Sequence, residues 1–223
     1  MDPVRIRHSL LAIACVAAPL FGLAAAFAVP GLQSGRSAEL TAIAQHHERF
    51  YLYAICILIS SYLLVPAVLG ATGLVRQSRG SVIAGLLAQG GLVIAIGDAA
   101  VELMYWQMGR PGADHQQMTA LASHYEDAPG SALIYNVGGI AVVAGLIWLG
   151  ILLWRSGAVP RWSAAALPLG TVANIVGFGA ASQPALAASY AVLGIGFLPV
   201  ARALRDVHAA APAPAIEGVV ASA

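Results

Sequence analysis

The chain has 223 residues, of which 59% are hydrophobic and only 9% charged, against about a quarter charged in an ordinary soluble domain. That composition excludes a soluble globular protein. All eleven basic residues are arginine, and a formal net charge of +1 leaves no field to gather nucleic acid. The two cysteines, Cys15 and Cys56, lie inside apolar runs, which leaves neither a disulfide framework nor a cysteine zinc site. Any chemistry must come from oxygen and imidazole groups.

A bilayer core of about 30 Å takes about 20 apolar residues of helix. Six such runs follow one another, over 10–29, 50–74, 82–105, 132–154, 164–181 and 185–204. They predict an all-α, six-helix transmembrane bundle in the cell membrane, formed by a single domain over 1–206. The residues 207–223, with Ala-Pro-Ala-Pro at 211–214, read as a disordered cytoplasmic tail. The first run also has the form of a secretory signal, with Arg5 and Arg7 before it and Ala26-Phe27-Ala28 near its end. Its length and the even helix count favour a retained span.

Arginine sets the orientation. Arg5, Arg7, Arg76, Arg79, Arg155, Arg161, Arg202 and Arg205 fall on one side, and Arg36, Arg49 and Arg110 on the other. Both termini are therefore expected in the cytoplasm. The two longer connections, 31–49 and 107–131, should face outward.

Those two loops echo one another: Thr41-Ala-Ile-Ala-Gln-His-His-Glu48 matches Thr119-Ala-Leu-Ala-Ser-His-Tyr-Glu126 at five positions, in Thr, both Ala, His and Glu. Either this is chance in an alanine-rich chain, or each loop contains a short helix and the two hairpins descend from one unit. In the second case His46 and His124 would face each other above the membrane.

Polar residues in the spans are concentrated toward the outward end. Asp98 lies in the outer third of the third span and Glu102 one turn higher, on the same face. Tyr51, Tyr53, Tyr105, Trp106, Tyr135, Asn136 and Tyr190 occupy outer positions of other turns, and Asn174 is near mid-depth. Gln89 and Ser60-Ser61-Tyr62 are the exceptions. The pattern describes a polar cavity opening outward. A carboxylate near the membrane centre costs about 2.5–3.5 kcal/mol on insertion scales, so Asp98 needs a partner or a purpose. One reading is structural: it binds Asn136, Asn174 or a tyrosine and locks the bundle. The other is chemical, since two carboxylates one turn apart titrate as a coupled pair and form a general acid and base.

His46, His47, His115 and His124 lie in the outward loops, but no HExxH, no HxH and no pair at a spacing of three or four is present. No metal and no cofactor is expected, and the histidines are read as hydrogen-bonding groups at the rim. The aromatics around them fit an interfacial belt. Glycines in the later spans read as packing positions, and no phosphate loop, GxSxG or CxxC motif is present.

In size, topology, intramembrane acids Asp98 and Glu102 and the aromatics beside them, the chain resembles the small membrane-bound terpene cyclases. It departs from them in having no acid on the fifth or sixth span. The resemblance implies an isomerase or lyase type of enzyme that protonates a lipid-borne, isoprenoid-type substrate in the bilayer. Asp98 and Glu102 would be catalytic, and Tyr51, Tyr105, Trp106, Tyr135, Asn136, Asn174, His46 and His124 would line the substrate site. Two other classes remain beside it: a non-catalytic sensor or partner protein, and a small-molecule transporter, although the inner half lacks a polar path. The sequence leaves the oligomeric state open.

Overall fold

The computed structural model describes residues 3–30, 35–75 and 79–209. It contains eight helices: α1 (Pro3–Ala28), α2 (Arg36–Gln45), α3 (His47–Gly73), α4 (Arg79–Met108), α5 (His115–Asp127), α6 (Pro129–Ser156), α7 (Arg161–Gly179) and α8 (Gln183–Ala209). No strand occurs among the described residues. All but α2 and α5 are long and apolar enough to cross a membrane. α4 and α6 overrun their apolar runs at both ends, because backbone hydrogen bonding continues past the edge of the hydrocarbon. Local chemistry sets several limits. Pro129 opens α6 where its missing N–H costs nothing, and Gly157, at φ 67°, closes it in the left-handed region. Asp114 caps α5, its Oδ1 accepting from the Gln117 amide at 3.1 Å.

The six long helices pack in chain order into a closed ring: α1 on α3, α3 on α4, α4 on α6, α6 on α7, α7 on α8, and α8 back on α1. Large apolar side chains such as Leu10, Leu20, Leu86, Val93, Ile140, Leu169 and Val176 are exposed on the outside. A belt of this kind would be insoluble in water and is at home in lipid. The chain is a multi-pass membrane protein.

The interior divides in two. Toward the end where α1 begins and α8 ends, Leu11, Val68, Leu149, Leu153, Leu167, Phe197, Val200 and Leu204 form a buried apolar core. The hydroxyls there staple helices through backbone carbonyls: Ser60 donates to Ala18 at 2.8 Å, joining α3 to α1, and Ser163 to Gly196 at 2.7 Å, joining α7 to α8. This accounts for the Ser60 exception in the sequence, and Tyr62 is exposed on the outside of α3. Toward the α2/α5 end a second core gathers Leu40, Ile43, Phe50, Tyr53, Tyr105, Met108 and Ala122.

The echoed segments do form two short helices that contact each other. Ser37 Oγ and Thr41 Oγ1 lie 3.2 and 3.4 Å from His115 Nε2, and Thr41 also donates to the Ser37 carbonyl. The copies are not equivalent, however. α2 stops at Gln45, and His46, at φ −127° and ψ 43°, turns the chain into α3, so Glu48 belongs to a span. Its counterpart Glu126 stays on the short helix α5.

Arg49 holds the end of α1. Its Nε donates to the Ala28 carbonyl at 3.0 Å and its Nη2 to that of Phe27 at 2.7 Å, while Gln183 Nε2 donates to Ala26 at 2.9 Å. A helix end leaves four carbonyls unpaired, and here α3 and α8 supply donors to three of them. Replacing Arg49 with Met keeps the stem and removes both bonds, so thermal unfolding in detergent should report a loss of about 1–2 kcal/mol. An unchanged melting temperature would mean that water replaces the guanidinium at no cost.

Candidate functional site

The polar interior of the α2/α5 half is assembled by α3 and α4. Tyr53, buried to 4% exposure on α3, donates its hydroxyl to Glu102 Oε1 on α4 at 3.2 Å. Glu102 is half-buried, and Asp98, one turn away on the same face, is exposed. One turn beyond Glu102, Tyr105 is buried and its hydroxyl donates to Glu126 Oε1 of α5 at 3.3 Å. The spacing 98, 102, 105, 106 along α4 is what places all four side chains on one side.

Trp106 is flanked by two rings from α3. His47 stacks on it at 4.9 Å between centroids, 24° from parallel, and Tyr51 lies at 4.6 Å and 40°. Tyr51 itself is exposed at the rim.

Across the ring, Asn174 of α7 donates through Nδ2 to Ser189 Oγ of α8 at 3.1 Å, and the Ser189 hydroxyl donates to the Leu186 carbonyl at 2.7 Å. The Tyr190 ring fills the space beside Gly22 of α1, where a Cβ would collide with it.

No known protein family, curated protein or solved structure matches this chain.

Of the sequence-predicted residues, Asp98, Glu102, Tyr51, Tyr105 and Trp106 fall in one neighbourhood of α3 and α4. Asn174 takes part in the α7/α8 polar pair with Ser189, on the other side of the ring. Asn136 is exposed on α6, and the Tyr135 side chain lies outside the described residues. His46 is exposed at the α2/α3 turn and His124 on α5. Among the described residues no three His, Cys, Asp or Glu side chains converge as a metal would require.

The site also contains residues outside that set: Tyr53, His47 and Glu126. A helix read as starting at 47 rather than 50 would have put His47, Tyr51 and Ala54 on one face by their spacing of four and three. That was the available signal. The partner of each, on another helix, had none.

Proposed function

We propose that the protein is an integral membrane enzyme that works by carboxylate acid/base catalysis on a lipid-borne, isoprenoid-type substrate, in the manner of a terpene cyclase. The observation that supports the reading best is the pairing of Tyr53 with Glu102 one turn from Asp98, within a span and beside the Trp106 stack. Asp98, the exposed member, delivers a proton to an alkene carbon of the substrate. The resulting cation is drawn to the second alkene, forming a ring, and the faces of Tyr51 and Trp106 shield the charge. Glu102, whose Oε1 is already an acceptor, takes the final proton. The terminal half of the bundle speaks against a transport route, because its described interior is closed by Leu149, Leu153, Leu167, Phe197 and Val200.

In the same reading both termini face the cytoplasm and α2 and α5 face outward, as the arginine distribution supports. Reporter fusions after Arg79 and after Arg205 should read cytoplasmic and one after Gly112 external. A cytoplasmic signal after Gly112 would invert the site. The function itself is tested by feeding prenylated precursors to membranes that contain the protein and analysing products by mass. A cyclised isomer supports the reading, and proton-coupled uptake into vesicles with no product would replace it with transport.

A further inference from the structure

The Trp106 stack contains two polar atoms that the fold does not use. The indole Nε1 of Trp106 and the imidazole Nδ1 of His47 are both buried, and neither has a hydrogen-bond partner among the described residues. Burying such a group unpaired costs its full desolvation, and proteins rarely leave one in that state without an occupant that satisfies it. Two in a single stack, on the two helices that carry Tyr53, Asp98 and Glu102, mark a place where an outside polar group belongs.

The chemistry of the pair narrows that group. Indole nitrogen only donates, so the occupant must present an acceptor; imidazole Nδ1 donates or accepts according to its tautomer. A hydroxyl suits either nitrogen, since its oxygen can accept from an indole N–H and it can donate to or accept from an imidazole nitrogen. Charge disfavours an anion here. Glu102 lies one turn from Trp106 and Glu48 is next to His47, while Arg49 directs Nε and Nη2 at the carbonyls of Ala28 and Phe27. Stacked aromatic faces complete a wall suited to the first carbons of a hydrocarbon chain.

We infer that Trp106 Nε1 and His47 Nδ1 bind the hydroxyl head of an uncharged lipophilic alcohol. This rests on the reading above that the site takes a lipid-borne substrate, and it specifies a neutral head group over a phosphorylated one. The hydroxyl is an anchor and is not consumed; the chain it carries is then held beside Asp98 and Glu102.

The test is equilibrium binding of radiolabelled farnesol to the full-length protein in lipid nanodiscs, with Trp106→Phe and His47→Phe as variants. Each keeps a ring in the stack and removes the nitrogen. Wild type should bind saturably, each variant about tenfold more weakly, and farnesyl phosphate more weakly than farnesol. Equal affinity in both variants, tighter binding of the phosphate, or no saturable farnesol binding would overturn the inference. If Trp106→Phe lowers the melting temperature, His47→Phe decides alone. The two readings fail separately. Unchanged binding in the variants together with loss of conversion in Asp98→Asn removes the anchor and leaves the enzyme. The expected binding pattern in a protein that converts no precursor removes the enzyme and leaves the anchor.

Discussion

Asp98→Asn should lower conversion of a prenylated precursor by at least about a hundredfold while leaving the melting temperature nearly unchanged. The size follows from general acid catalysis, where one positioned proton donor contributes roughly 10²–10⁴ in rate. The stability forecast follows from position: Asp98 is exposed on its helix, and an amide of the same shape keeps hydrogen-bonding capacity. Glu102→Gln should behave differently, because its Oε1 accepts from buried Tyr53. It should lose activity and also about 1–2 kcal/mol of stability. Parallel turnover and thermal-shift measurements separate the roles. Asp98→Asn that keeps its activity and melts early would make the residue a structural carboxylate.

Gly145→Val should abolish the folded protein. α4 and α6 approach so closely that a Cβ at Gly145 would sit about 2.6 Å from Ala88 Cα, and one at Gly91 would sit 2.7 Å from the Gly138 carbonyl oxygen. These atoms are backbone and cannot swing aside. Overpacking a core costs about 1–3 kcal/mol for a modest side chain, and a β-branched one forces the helices apart along the whole seam. Because α4 carries Asp98, Glu102, Tyr105 and Trp106, the site would be lost with the seam. Size-exclusion of the detergent-solubilised variant should show aggregate, whereas Gly139→Ala, with nothing within 4 Å of its added carbon, should elute as wild type.

The spans were legible because lipid imposes one requirement on sequence, a run of about 20 apolar residues closed by polar or basic ends. α1, α3, α4, α6, α7 and α8 meet it. The rotational setting of those helices was not legible. A membrane helix is apolar both toward its neighbours and toward lipid, so periodicity does not distinguish the two faces. Trp106 illustrates the loss: it reads as an interfacial residue, and in the fold it is the centre of a stack with His47 and Tyr51. Arg49 does too, since it reads as a charge that sets topology and in the fold it caps α1. Asp98 and Glu102 stand out as candidates in the sequence because the signal that marks them, a carboxylate inside a span and a second one turn away, is local to a single helix. Tyr53 and Glu126 needed the packing of α3 on α4 and of α5 on α4, which no spacing encodes.

The central claim is that these carboxylates move a proton to and from a lipid substrate. It is tested most directly by incubating a prenylated precursor in deuterium oxide with purified wild type and with the Asp98→Asn, Glu102→Gln double variant, then locating deuterium in the product by mass. Wild type should give a cyclised isomer carrying carbon-bound deuterium from the exchanged acid, and the double variant should give no product. Undiminished conversion by the double variant, or a wild-type product without carbon-bound deuterium, would contradict the account.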